Sequence, residues 1–484
     1  MNPKRFKHTK VIATLGPASE SMEMIKSLAK SGADIFRLNT SHGTPEEHQK
    51  AIQTVRSASA KLGLHLGVMI DLQGPKLRIG VLPRPIQLVE GKEYIFRPEA
   101  ESTTTDYIPV DYPNIFHDIY TGIHILINDG RFDVEVTQIE ADFFKARVIV
   151  GGELTSRKGI NIPASGSNVS SLTDRDRSFV RFAVENHADY LALSFVRSAA
   201  DVRELRDELA IYSSHIPIVA KIEKPQALDD IDAIINESDA IMVARGDLGV
   251  EISPERVPLV QKTLIEKANR AKKCVITATQ MLESMIDSPI PTRAEANDVA
   301  NAILDGTDAV MLSGETTIGK YPVEAVKMMS KIAKEVETNP LYEEMFSFHM
   351  DRNSKHTQSW VQSQREILIT RTFNEMPIKA IIAITTNGNT VQLLSKAKVV
   401  HPIIALCPNE ALACRLSMWW GVIPLLLDKP LNFSDNIIPP AAMQEILGEL
   451  LTRTFLKKGD RVVFVAGLPY FSLGKTTFVK HIEL

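Results

Sequence analysis

From Lys10 onward, short unbroken apolar runs alternate with longer stretches of helical spacing. The runs are KVIATLG, DIFRLNT, LGVMIDL, YLALSFV, PIVAKIE, AIMVARG, CVITATQ and AVMLSG. Continuous Val, Ile, Leu and Ala without polar alternation is how a parallel strand covered on both faces reads. Between most of these runs lie segments such as SMEMIKSLAKSG and SPERVPLVQKTLIEKANRAKK, whose apolar residues recur at helical spacing. Eight such units predict an α/β fold, a closed (β/α)8 TIM barrel, with an open doubly wound sheet as the alternative.

The alternation breaks twice. Between Leu72 and about Asn168 the segments IQLVEGKEYIF, FDVEVTQIE and FFKARVIVGGEL read as period-2 strands separated by Gly, Asp and Pro. They predict an all-β domain inserted after the third barrel strand, at the end of the barrel where it can act as a lid. After about residue 345 a polar stretch, HMDRNSKHTQSWVQSQRE, leads to strand candidates IKAIIAIT, HPIIALCP, GVIPLLL and DRVVFVAGL, with helical stretches NTVQLLSKAK and MQEILGELLTRTFLK between them. The expected division is a barrel over 1–72 and 168–345, a lid over 73–167 and a C-terminal α/β domain over 346–484. No internal repeat or low-complexity segment is visible.

Composition narrows the partners. The chain has 484 residues, 44% hydrophobic and 24% charged, with a formal net charge of -4 and a pI near 6.3. That balance carries no basic signal for nucleic acid. Cys274, Cys407 and Cys414 form no CxxC pair and sit in apolar segments, which reads as buried reduced thiols. The basic start MNPKRFKHTK is followed by too short an apolar run for a signal peptide, and no run reaches the roughly 20 residues needed to span a bilayer. The expectation is a cytoplasmic protein without a membrane or nucleic-acid partner.

The candidate chemistry gathers where apolar runs end in charge. Lys221 and Glu223 lie two apart in VAKIEKP and so share a strand face. Asp247, in IMVARGDLGVE with Arg245 and Gly246, ends the next run, where the strand is expected to empty into a loop beside Glu223. Two carboxylates and an ammonium at one point suit Mg²⁺ or Mn²⁺ together with a phosphoryl group or an enolate; the structural alternative is an ion pair and a turn. Arg37, Asn39 and Ser41 share a face in FRLNTSHG. Arg37 can fork onto a phosphoryl or carboxylate group, and Asn39, Ser41 and Asp71 offer oxygens to a cation, the alternative being a bare Arg37–Asp71 pair. Thr277 and Thr279 read as one strand face at the mouth, and Ser313 and Glu315 end the last run in a supporting position. GLPYFSLGKTT is not a P-loop, because Pro469 stands where glycine is required, so Lys475 is not a Walker lysine. TTNGNT, residues 385–390, precedes a helix and offers backbone N–H groups to a phosphate.

The segments TLGPAS, RLNTSHG, DLQGPKLRIG, KGINIP, LALSFVR, AKIE, ARGDLGVE, TATQMLESM, PTRAEANDVANAILDGTDAVMLSGET and GKYPVEAV, in this order, closely resemble the pyruvate kinase family. They span residues 11 to 338, and the C-terminal third resembles the family only in outline. The resemblance implies phosphoryl transfer from phosphoenolpyruvate to ADP, giving pyruvate and ATP. It implies Glu223 and Asp247 as holders of the divalent metal, Lys221 as stabiliser of phosphoryl and enolate charge, and Arg37 on the phosphoryl oxygens. Gly246, Asp247 and Thr279 would hold the substrate carboxylate, with Thr279 also near enolate protonation. Asn39, His42, Arg78 and, from the lid, Lys158 would meet the nucleotide.

The family resemblance also raises a monovalent cation. Many members hold K⁺ at positions matching Asn39, Ser41, Asp71 and the Leu72 carbonyl, and carry an acidic residue where this chain has Lys76 and threonine where it has Leu72. An ammonium at Lys76 supplies a fixed positive charge, so turnover without K⁺ is expected. The loops TTNGNT and FSLGKTT resemble a pair that binds a sugar phosphate or nucleotide effector, and the family is usually a homotetramer. Two other readings compete: a metal-dependent lyase or aldolase on a related barrel, and a catalytically silent regulatory homologue. The nucleotide-facing residues weigh against the first, and the full set of Lys221, Glu223, Asp247, Arg37 and Thr279 against the second.

Overall fold

The computed structural model describes residues 5–75, 77–162, 170–340, 342, 373, 376–427, 440–466 and 478–484. Three strands open the chain: β1 (Lys10–Thr14), β2 (Ile35–Asn39) and β3 (Gly67–Asp71). An insertion follows with β4 (Ile86–Leu88), β5 (Glu93–Arg97), β6 (Ile108–Pro109), β7 (His124–Ile127), β8 (Phe132–Ile139), β9 (Phe144–Val150), β10 (Gly152–Leu154) and β11 (Ile160–Asn161). The first fold then resumes with β12 (Tyr190–Leu193), β13 (Ile218–Ile222), β14 (Ala240–Ala244), β15 (Cys274–Ala278) and β16 (Ala309–Leu312). All eight predicted runs become strands of one closed barrel, in the order β1-β16-β15-β14-β13-β12-β3-β2. Parallel pairing of β1 with β16, from Lys10↔Ala309 to Ala13↔Leu312, closes it and excludes the open sheet.

Both faces of every barrel strand are buried, which is why the runs carry no polar alternation. Alternate residues divide between two cores. Val219, Met242, Ile276 and Met311 fill the barrel interior. Ala220, Val243, Val275 and Val310 pack outward against the helices. The helix Met22–Ser31 shows how the outer layer is built: Ser21 caps its start by accepting from the Met24 N–H, and Gly32 ends it at φ 125°. It turns Ile25, Leu28 and Ala29 onto the barrel.

The insertion is all-β, with a two-stranded sheet β10-β4 and a six-stranded sheet β11-β7-β8-β9-β5-β6 around its own core. Sequence spacing reveals its longer strands but not β6, β7 or β11, which have two to four residues and show no periodicity. The C-terminal region contains β17 (Ala380–Ile384), β18 (Ile403–Cys407), β19 (Val422–Leu426), β20 (Arg461–Ala466) and β21 (Phe478–Glu483), ordered β19-β18-β17-β20-β21. The first four are the predicted strands. Antiparallel β21 was not expected, since an edge strand with Val479 exposed has no continuous apolar run. The polar stretch at 349–366 lies outside the described residues. All three cysteines are free and buried, and no helix among the described residues is long and apolar enough to cross a membrane.

One apolar cluster joins the barrel interior to the C-terminal sheet: Ile12, Ile35 and Met69 belong to the same core as Ile381, Val391 and Trp419. Beside it, at the amino end of β16, fully buried Asp308 accepts from Lys396 at 2.5 Å and Lys398 at 2.7 Å. Asp308 also accepts from the Val275 N–H at 2.8 Å, so one carboxylate pins two sequence-distant ammoniums to the barrel floor. Removing it strands both charges away from water. Asp308→Ala is expected to lower unfolding stability by about 3–5 kcal/mol, measured by equilibrium urea unfolding.

Candidate active site at the carboxyl end of the barrel

The interior parity of each strand selects which side chains reach the mouth. On β13, Val219 faces inward, so Lys221 and the following Glu223 do too. On β2 and β3 the inward set begins with Ile35 and Met69 and continues to Arg37 and Asp71. Four charged groups therefore meet at the mouth, all of them buried. Arg37 is 8% exposed, Asp71 1%, Lys221 9% and Glu223 1%.

They form a continuous chain. Arg37 Nε donates to Asp71 Oδ2 at 2.6 Å, and Arg37 Nη1 donates to Thr14 Oγ1 at 3.1 Å. Lys221 Nζ donates to Asp71 Oδ1 at 3.1 Å and lies 2.9 Å from Glu223 Oε1. Glu223 Oε2 accepts from the Phe195 N–H at 2.8 Å. Burial pushes the Asp71 carboxyl up, but Arg37 and Lys221 outweigh it and hold its pKa below the usual value. Burial pulls the Lys221 ammonium down, yet Asp71 and Glu223 reverse this and keep it charged. Glu223 moves the other way: burial raises its proton affinity, Lys221 opposes, and nearby Asp247 raises it again.

Asp247 does not sit in a loop. β14 runs directly into the helix Arg245–Glu251, which places Asp247 in the first turn, half-buried, and stiffens the approach to Glu223. Among the described residues no three acidic, imidazole or thiol side chains converge into a complete metal cage. The Glu223 carboxyl, whose proton affinity Asp247 raises, nonetheless fits with Asp247 a hard divalent cation that takes its remaining ligands from water and substrate oxygens.

Thr277 and Thr279 do not share a face at the mouth. The inward residues of β15 are Cys274, Ile276 and Ala278, so Thr277 points to the helix layer, where its hydroxyl donates to Thr307 Oγ1 at 3.0 Å. Thr279 lies past the strand end at φ 67°, followed by Gln280 at φ 52°. That left-handed turn redirects its side chain: Thr279 Oγ1 accepts from the Gly246 N–H at 2.6 Å and donates to the Ala278 carbonyl at 2.6 Å. A Cβ on Gly246 would stand 3.3 Å from this hydroxyl, so glycine permits the approach. Glu315 is structural, accepting from the backbone N–H groups of Leu282 and Ser313.

The monovalent-cation set is engaged by the chain itself. Asn39 Oδ1 accepts from the Ser41 N–H at 3.1 Å, the Leu72 carbonyl accepts from Ser194 Oγ at 2.6 Å, and both Asp71 oxygens are occupied. Lys76 lies outside the described residues. His42 is exposed beyond β2, and its carbonyl lies 2.9 Å from His48 Nε2. Arg78 and Lys158 come together in the insertion: Arg78 bridges Gly159, and the Lys158 carbonyl accepts from the Ile79 N–H at 2.7 Å. In TTNGNT, Gly388 N–H is taken by Thr385 Oγ1 at 2.8 Å; FSLGKTT lies outside the described residues.

Sequence reasoning missed two participants. Ser194 Oγ lies 2.7 Å from Lys221 Nζ, and the rule of alternate residues applied to Tyr190 and Ala192 on β12 would have found it. Glu251 was not legible, because its two partners come from distant parts of the chain. Its Oε1 accepts from Lys224 at 2.5 Å and from Asn161 of β11 at 2.8 Å, tying the insertion to the barrel.

Comparison with known proteins bears on the whole chain. The family profile described as "Pyruvate kinase, barrel domain" matches residues 6–326, and "Pyruvate kinase, alpha/beta domain" matches 367–480. A protein of Agrobacterium vitis named pyruvate kinase is 41% identical over 477 residues, 97% of each chain. One of Geobacillus stearothermophilus with the same name is 40% identical over 98% of this chain and 79% of its own. "Pyruvate kinase 2" of Synechocystis is 38% identical over 98% and 79%. Neither the lyase nor the silent-homologue reading finds support among these matches. With a closed barrel, a buried charge chain at its mouth and this likeness along nearly its full length, the chain belongs to the pyruvate kinase family.

Proposed function

We propose that the barrel mouth carries out its family's reaction, transfer of the phosphoryl group from phosphoenolpyruvate to ADP, with Lys221, Arg37 and Thr279 as the working side chains. The observation that carries this reading is the buried chain Arg37, Asp71, Lys221 and Glu223. The bond from phosphorus to the enol oxygen breaks as a bond to a terminal ADP oxygen forms, and the enolate left behind takes a proton at its methylene carbon. Charge moves from phosphoryl oxygens to enolate oxygen, and fixed cations that need no reorganisation favour that movement.

Lys221, kept charged by Asp71 and Glu223, faces the phosphoryl group and the enolate oxygen. Arg37 is aimed by Asp71 and Thr14, leaving its other terminal nitrogen for a phosphoryl oxygen. Backbone N–H groups of Gly246 and Asp247 at a helix start, with Thr279, hold the substrate carboxylate, and Thr279 stands at the protonation step. Glu223 and Asp247 would hold a divalent cation, Mg²⁺ or Mn²⁺, which when bound would supply Lewis-acid charge to substrate oxygens. Asn39, His42, Arg78 and Lys158 meet ADP, with the insertion as a lid that excludes water. The enzyme is read as a cytoplasmic homotetramer, and TTNGNT as part of an effector site for a sugar phosphate or nucleotide.

Lys221→Ala is expected to lower kcat about 100- to 1000-fold with the folded state retained by circular dichroism; near-normal kcat would remove its role. Because Glu223 has a raised proton affinity, the acid limb of kcat/KM should lie above that of an ordinary glutamate. Proton and cation compete for the same oxygens, so higher Mg²⁺ should move that limb to lower pH; a limb insensitive to Mg²⁺ would contradict the metal assignment. Turnover without K⁺ is supported by Lys76, whose ammonium would supply the fixed positive charge. Assays in tetramethylammonium salts should give nearly full rate, and a rate restored only by K⁺ would reject this.

A further inference from the structure

Thr279 reaches the mouth only because the backbone after β15 turns left-handed, at φ 67° for Thr279 and 52° for Gln280. A β-branched residue at positive φ is unfavourable, and such a conformation persists only where its surroundings over-determine it. One buried side chain holds it. Arg245 is 8% exposed and begins the helix after β14. Its Nη2 donates to the Thr279 carbonyl at 2.9 Å and the Gln280 carbonyl at 3.0 Å, and lies 2.8 Å from Met281 Sδ. Nε reaches the Thr279 carbonyl at 3.3 Å. On the other edge Nη1 lies 2.7 Å from Asp298 Oδ2 and 3.3 Å from Gln261 Oε1, which fixes the plane of the guanidinium.

Consecutive residues of one segment therefore grip Thr279 from two sides. The Arg245 side chain takes its carbonyl, and the Gly246 N–H takes its hydroxyl. Without the turn, strand parity would send residue 279 outward with Thr277.

We propose that Arg245 is a positioning residue for the proton-transfer step: its fork onto the Thr279 and Gln280 carbonyls, anchored by Asp298, holds the strained turn that presents Thr279 to the enolate. This rests on the reading of Thr279 given above. A lysine at this position keeps the charge, but its single nitrogen cannot reach Asp298 and the two carbonyls at once, as Nη1 and Nη2 do.

The test is exchange of the pyruvate methyl hydrogens with deuterated solvent, followed by NMR, a step in which only proton transfer at carbon is measured. Arg245→Lys is expected to slow exchange about 10- to 100-fold while KM for pyruvate moves less than about threefold. Thr279→Ala should slow it at least as much, and the double variant should be no slower than Thr279→Ala alone. Asp298→Ala, at a half-buried position outside the fork, is the second variant and should slow the same step about 3- to 10-fold, again without adding to Thr279→Ala. Thermal unfolding of each variant separates this from loss of fold, and Asp298→Ala decides the matter if Arg245→Lys does not fold. Exchange unchanged in Thr279→Ala would overturn the reading of Thr279 and this inference with it. Slowed exchange in Thr279→Ala, with Arg245→Lys or Asp298→Ala either unchanged or multiplying that loss, would overturn the role of Arg245 alone.

Discussion

A parallel strand has no neighbour to pair with at a sheet edge, and this protein removes the edge by joining β1 to β16. Closure has a geometric consequence that governs everything above it. Alternate residues of each strand are committed to the interior, all strands point the same way, and the last inward residues crowd one mouth. Arg37, Asp71, Ser194 and Lys221 meet there because Ile35, Met69, Ala192 and Val219 are packed below them. The apolar floor thus sets the position of the polar mouth.

Such a cluster is a poor way to gain stability. Each ion gives up its hydration, and the attraction inside the chain roughly offsets that cost only while every partner is in place. Asp71 meets the condition by accepting from Arg37 and Lys221 together, with its carboxyl held ionised by both. Glu223 meets it less completely, since Asp247 opposes its ionisation while Lys221 favours it. The chain of charges is thus settled at Asp71 and electrically unsettled at Glu223, beside Asp247. The same logic appears at the barrel floor, where Asp308 is satisfied by Lys396 and Lys398 and the result is attachment of the C-terminal sheet.

Errors in reading the sequence have a common physical source. Lys221, Glu223, Arg37 and Asp71 were legible because they lie in or next to strands, where a period of two assigns the face. Thr277 was placed on one face with Thr279 by carrying that period past the end of β15, where the left-handed turn at Thr279 breaks it. Ser194 was missed although the same rule reaches it from Tyr190 and Ala192. β6, β7 and β11 are too short for any period to show, and β21 is an edge with one face in solvent. Asp247 belongs to a helix because the backbone after Ala244 continues helically, which a short RGDLG segment does not announce.

By itself the sequence determined the eight barrel strands, the position of the inserted β region, the α/β character of the C-terminal part and most of the charged residues at the mouth. Those properties follow from local periodicity and from residue types that only burial or chemistry explains. Tertiary structure decided three things that no local pattern encodes: that β1 meets β16, that one carboxylate serves two cations from different strands, and that Arg245 donates to both carbonyls of the left-handed turn at Thr279 and Gln280. Each depends on groups far apart in the chain, and their contact exists only once the closed barrel has brought the strand ends together.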